Sequence, residues 1–248
     1  MTLEPPSRSR PGDPALRAIA AALPAAALLL LLLSAVAFWP AYLSKVRAAE
    51  GYTHAHAALG TAWLLLLGVQ PVLARKGLRS AHRALGRAGA AVGIAFAVSG
   101  FLVAHRSVAR MGAEQFAREG HFAYLPLAMA AIFAAALALA IRWRSVPALH
   151  GRYMAATALP LLDPVLARIL YFHGPPLPSE SLYQAPAFLL ATGVLFALAR
   201  SLPAAATGRG GFVGFGCGVV AALLGFFVVP HTAPWLAFVT WWRALPIT

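Results

Sequence analysis

The sequence predicts an all-α integral membrane bundle of seven transmembrane helices, on three observations. Apolar residues make up 60% of the 248 positions and charged ones 11%, a balance that the core of a soluble domain does not require. The apolar residues gather in seven runs, near 17–39, 54–74, 86–105, 122–141, 149–171, 182–202 and 211–230, each close to the roughly 20 residues that carry a helix through hydrocarbon. Connections between the runs are short, so they read as one compact domain over 17–230, flanked by a tail at 1–16 and a C-terminal segment at 231–248.

A formal charge of +13 raises the possibility of a nucleic-acid partner, but the arginines stand at the ends of apolar runs, where lipid headgroups and cytoplasmic loops account for them. The lipid bilayer is the partner this distribution implies, with no nucleic acid. Counted by alternate connections, 13 Lys and Arg lie on the side of the N-terminus and seven on the other. The positive-inside bias therefore puts the N-terminus in the cytoplasm and the C-terminus outside.

In chain order, residues 1–16 carry Pro5, Pro6, Pro11 and Pro14 among scattered charges and read as a disordered cytoplasmic tail. The first span resembles a signal-peptide core in its Leu-rich centre, but its apolar stretch continues through Phe38, Trp39 and Tyr42, which favours a retained helix. In the second span His56, Trp63 and Gln70 follow one another at intervals of seven, with Gly60 between the first two. At about 100° per residue, seven residues fall about 20° short of two turns, so the three share one stripe that should face protein. A buried amide such as Gln70 needs a partner, and the alternative use of the stripe is plain helix packing.

His82 and Arg83 precede the third span, and His150 and Arg152 open the fifth. By the topology above they share the cytoplasmic level with Gln70, giving an inner-side cluster of Gln70, His82, Arg83, His150 and Arg152. Imidazoles from two helices there point to a metal or haem held by His82 and His150, or to an anionic headgroup held with the arginines; the plainer reading is wet interfacial residues at helix starts.

The fifth span places Asp163 between Pro160 and Pro164, with Arg168 five residues on. A carboxylate in hydrocarbon is costly and marks a functional candidate, and the prolines loosen the helix around it. Its depth matches Trp63, which predicts an outer-half polar pocket of His56, Trp63, Asp163 and Arg168; a structural ion pair is the alternative. His54, His105, His121, His173 and His231 fall at outer helix ends or loops, with none at the spacing that puts two on one helical face, and read as solvated. Cys217, the single cysteine, rules out an intrachain disulfide. In the last span Gly214 and Gly218 form a GxxxG pair that permits close contact within the bundle or across a homodimer. Trp235, Trp241 and Trp242 place the C-terminal segment in the outer interface.

Taken together, His56-x6-Trp63-x6-Gln70, then His82-Arg83-x-Leu85-Gly86, then His150-x-Arg152-x-Met154 with LLDP and Arg168, resemble a family of uncharacterised bacterial multi-pass membrane proteins. The resemblance covers roughly 50–170 and implies a seven-helix protein of the bacterial inner membrane, with Gly151 and Tyr153 where relatives typically have Lys and Leu. It implies no activity. A looser likeness, in histidines near helix ends alone, is to b-type cytochromes. Three functions stay open on the sequence: binding of haem b or a transition metal for electron transfer, a small-solute or proton-coupled transporter using Asp163 and Arg168, and a non-catalytic membrane scaffold or sensor.

Overall fold

The computed structural model describes residues 13–204 and 206–248, and its regular structure there is entirely helical. Ten α-helices follow one another: α1 (Pro14–Phe38), α2 (Gly51–Arg75), α3 (Arg79–Ala109), α4 (Ala113–Glu119), α5 (Tyr124–Arg142), α6 (Pro147–Ala156), α7 (Leu159–His173), α8 (Ala185–Arg200), α9 (Arg209–Gly225) and α10 (Ala233–Arg243). Six stretches are long and apolar enough to cross a membrane: Pro14–Phe38, Gly51–Arg75, Arg79–Ala109, Ala113–Arg142, Pro147–His173 and Glu180–Arg200.

Local chemistry sets several boundaries away from their expected places. The expected tail at 1–16 ends sooner: Asp13 accepts hydrogen bonds from Ala15 N at 3.0 Å and Leu16 N at 3.2 Å, and Pro14 takes the first helical position, where its missing N–H costs nothing. The remainder of that tail, 1–12, lies outside the described residues. The fifth apolar run is two helices, not one, because Pro160 has no N–H for the Ala156 carbonyl and α6 turns at Thr157 and Ala158 before α7 begins. The seventh run gives α9 of only 17 residues, shorter than the expected 20. The α-helix ends at Gly225, and the chain breaks at Val228 before the 3-10 turn Val229–His231, where Pro230 has no N–H to offer the Phe226 carbonyl.

In the bundle, α2 lies between α1 and α3, α3 packs on α5, and α1 also touches α6 and α7; α8 and α9 complete the opposite side. One core joins Trp63, Leu64 and Leu67 of α2 to Phe133 and Leu137 of α5 and Val165 of α7. A second joins Met129 and Ile132 of α5 to Phe188, Leu195, Val219 and Leu223 of α8 and α9. Facing outward are large apolar side chains, among them Leu32 at 58%, Leu189 at 74% and Phe196 at 64% exposure, a surface suited to hydrocarbon and costly in water.

The two ends of the bundle differ. One, rich in arginine, gathers the start of α1, the α2–α3 and α5–α6 turns and the end of α8, tied by Arg152 of α6 to Asp13 and to carbonyls at the end of α8. The far end gathers the end of α3, the 3-10 turn Gly120–Ala123 and α10. Here α9 connects the two: Gly208, before its first residue, lies against Leu149 and Trp143, while its last residue, Gly225, lies against Tyr124.

Candidate functional site

Of the four residues expected in an outer-half pocket, three turn to partners of their own, and no hydrogen bond or ion pair among the described residues joins any two of the four. His56 shares a hydrogen bond of 2.9 Å between its Nδ1 and Ser99 Oγ of α3, and stacks on Phe96 at 4.8 Å between ring centroids. Trp63, 1% exposed, donates its indole N–H to Thr157 Oγ1 at 3.2 Å, and that hydroxyl donates to Met154 O at 2.6 Å. The turn between α6 and α7 thus supplies the acceptor that a buried indole requires. Arg168 donates to Pro164 O at 3.0 Å and lies 4.7 Å over the Phe38 ring of α1. Asp163 is 6% exposed, and its Oδ1 is buried with no hydrogen-bond partner.

The glycines beside this stripe admit side chains of neighbouring helices. A Cβ on Gly93 would stand 2.7 Å from both Trp63 Cζ3 and Leu137 Cδ2, and one on Gly60 would stand 3.0 Å from the Phe96 ring. The flat groups admitted are the protein's own aromatic rings. His56, Phe96, Phe133 and Trp63 form a continuous chain with centroid separations of 4.8, 5.0 and 5.1 Å.

At the arginine-rich end the structure brings Gln70, His82 and His150 together. The imidazoles of His82, at the start of α3, and His150, at the start of α6, lie 6.5 Å apart between centroids with planes at 89°. His150 donates from Nδ1 to the Ala140 carbonyl of α5 at 2.9 Å. His82 Nδ1 has two alternative partners on Gln70: the main-chain carbonyl at 3.3 Å, to which a protonated Nδ1 donates, or the side-chain amide at 2.5 Å, which donates to an unprotonated Nδ1 when it is turned so that its oxygen accepts from Gly86 N at 2.9 Å. Both rings are half-buried, both turn Nδ1 to protein, and neither Nε2 has a hydrogen-bond partner among the described residues.

The two arginines of that expected cluster part company. Arg83 is exposed. Arg152 is fully buried and faces away from the histidines: Nε donates to Ser201 Oγ at 3.0 Å and Leu198 O at 3.2 Å, NH1 to Ala148 O at 2.8 Å, and NH2 to Ser201 O at 2.7 Å, with Asp13 Oδ2 at 3.7 Å. It caps the end of α8, where helical carbonyls lack partners and the helix dipole is negative.

The far end holds contacts that sequence reasoning missed. His105, expected in water, is 1% exposed; it pairs with Thr248 Oγ1 at 2.7 Å and Trp242 O at 3.1 Å, fastening α10 to α3. Glu50 receives Arg106 on both oxygens, at 3.0 and 3.1 Å, and Arg110 on one. The His121 and His231 rings lie 5.4 Å apart, tilted by 33°. Among the described residues no three His, Cys, Asp or Glu side chains gather closely enough to hold a metal ion. The only sequence signal for Glu50 was its place just ahead of the second apolar run, where an acid favours a helix start; nothing local signalled its arginines.

No protein-family profile, curated protein or solved structure matches this chain at a significant level. Function therefore rests on the geometry above.

Proposed function

We propose that this chain is a redox protein of the bacterial inner membrane that binds haem b between His82 and His150. The observation that carries the reading is the pair of imidazoles from different helices, 6.5 Å apart, each with Nδ1 engaged by protein and Nε2 unpartnered. A histidine that ligates through one nitrogen normally donates the other to a carbonyl, which fixes ring orientation and raises basicity. Ala140 O does this for His150, and the Gln70 main-chain carbonyl does it for His82 in the tautomer that donates from Nδ1, in which the Gln70 amide does not donate to that nitrogen. Through their unpartnered Nε2 atoms His82 and His150 would hold the iron together.

The donor count favours haem over a bare ion. Zinc or copper sites draw three or four ligands from protein, whereas haem iron asks for at most two axial ones. Haem bound there would supply a one-electron carrier at the arginine-rich end, and the exposed Arg83, next to His82 in sequence, would pair with its carboxylates. Neither histidine has acid–base work implied by its partners; both hold and orient.

Spectra of the detergent-purified protein, oxidised and dithionite-reduced, test this. Expected is a Soret band that shifts on reduction and is abolished by His82→Ala or His150→Ala, while His54→Ala leaves it unchanged. A colourless preparation carrying about one equivalent of transition metal would place a bare ion at the pair; a colourless, metal-free one would end the reading.

The same proposal includes seven spans with a cytoplasmic N-terminus. In its support, α9 runs from one end of the bundle to the other, and its 17 residues match the lower limit of about 17 for a crossing helix. The arginine excess at the end that holds the start of α1 supports the orientation.

A further inference from the structure

Asp163 is the one buried acid among the described residues, and no hydrogen bond or ion pair there meets its carboxyl. Its helical neighbour Arg168 makes no ion pair with it and is held by Pro164 O and the Phe38 ring. The elements packed against α7 bring no other charge to its level. In α1 the only charged residue is Arg17, near the start of the helix, and in α8 it is Arg200, the last residue. In α5 the titratable groups are Tyr124 and Arg142, at opposite ends. The 3-10 turn Glu180–Gln184 carries Glu180, which is exposed, and Tyr183, whose hydroxyl receives Leu177 N at 3.1 Å. An ionised carboxylate so placed has no hydrogen-bond donor and no ion pair, only the unpaired proximity of Arg168, so little offsets its desolvation.

The proline pattern offers the neutral acid a partner. Pro164 has no N–H, so the Pro160 carbonyl, four residues earlier, loses its helical donor. Asp163 follows Pro160 by three residues, and side chains in a helix lean toward its N-terminus onto the face of residue i−3. A carboxylic O–H at Asp163 and an unpaired carbonyl at Pro160 are therefore complementary, and a carboxylate would be repelled there.

We infer that Asp163 is a reversible proton-binding site inside the membrane: it holds one proton from solvent as a carboxylic acid donated to the Pro160 carbonyl, and returns it as it ionises. This does not depend on the His82–His150 reading, since no residue is shared. The step is a bare proton transfer between water and carboxylate, with Arg168 the nearest cation to receive the anion. The site suits a relay or a proton-coupled movement of the α6–α7 break.

Infrared difference spectroscopy on the full chain in nanodiscs, wild type against Asp163→Asn, tests it. Expected at neutral pH is the carbonyl stretch of a neutral carboxylic acid that the variant lacks, converting to carboxylate absorption as pH rises and returning as it falls. Asn also mimics the neutral acid, so melting should stay close to wild type. Carboxylate absorption already present at neutral pH would overturn the inference, as would a neutral-acid band that no pH removes. Should the variant fail to fold, dicyclohexylcarbodiimide on the wild type serves: it adds to protonated carboxyls in apolar surroundings to give an acylurea. Mass spectrometry should find the adduct at Asp163, falling about tenfold per pH unit above the half-point; no adduct there would overturn the inference.

Discussion

Arg152 and Glu50 both carry full charge, and their surroundings assign them different work. Arg152 is withdrawn from solvent and donates to Ala148, Leu198 and Ser201, so its charge is matched by carbonyl dipoles of two helix ends and by Asp13. Glu50, by contrast, is partly exposed, just ahead of α2, and the hydrogen bond from Arg106, aided by the charges of Arg106 and Arg110, holds its carboxyl below the ordinary 4.5. A folded-state value below the unfolded one stabilises the fold fully above the unfolded value and ceases to do so as pH falls through the folded one. Glu50→Gln should therefore lower the melting temperature slightly at neutral pH, with the two proteins converging in acid, and added salt should narrow the neutral-pH gap. Thermal unfolding in detergent at both pH values checks this; a gap of equal size in acid would assign the residue's role to packing.

Glycines on α3 and α9 separate two uses of one residue type. Gly93 of α3 makes room for the Trp63 ring and Leu137, so Gly93→Ala drives a methyl into occupied space and should cost about 1–3 kcal/mol. Gly214 of α9 is exposed with nothing within 4 Å of an added Cβ, so Gly214→Ala in the monomer should gain roughly 0.5–1 kcal/mol from helix propensity alone. Melting of the two variants side by side measures the contrast; a destabilised Gly214→Ala would reveal a contact on that face made by another chain. Among the described residues nothing lies within 4 Å of a Cβ added at Gly214 or Gly218, so the GxxxG pair admits no neighbouring helix there. The stripe of His56, Trp63 and Gln70 was legible because periodicity alone fixes which residues share a helical face. What each meets was not legible: Trp63 finds the Thr157 hydroxyl across 94 positions, at the turn between α6 and α7. Inner-end neighbours were nearer to reach, since His82 and His150 both open helices that start at one level. Their separation and the Ala140 carbonyl required the fold.

Over the whole molecule, composition settled the helical class, and the apolar runs located six of the long helices, because hydrocarbon imposes one length on everything that crosses it. Length alone is least decisive at α9, which ends at Gly225. Its position decides more: entry lies beside Leu149 and Trp143 at the arginine-rich end, and exit lies beside Tyr124 at the far end, where His105 and Trp242 then fasten α10. A helix with these termini lying flat on one surface would have to leave both sets of contacts. An α9 that crosses puts Thr248 on the side opposite the α5–α6 turn; one that does not would put them on the same side. Alkaline phosphatase, active only outside the cytoplasm, and green fluorescent protein, fluorescent only inside it, read the two positions when fused after Thr248 and, in a truncated chain, after Ser145. Phosphatase activity is expected at Thr248 and fluorescence at Ser145, because the arginine bias predicts a cytoplasmic α5–α6 turn. Fluorescence at both positions would fit six spans instead of the proposed seven, with α10, whose Trp241 is 58% exposed, on the cytoplasmic side.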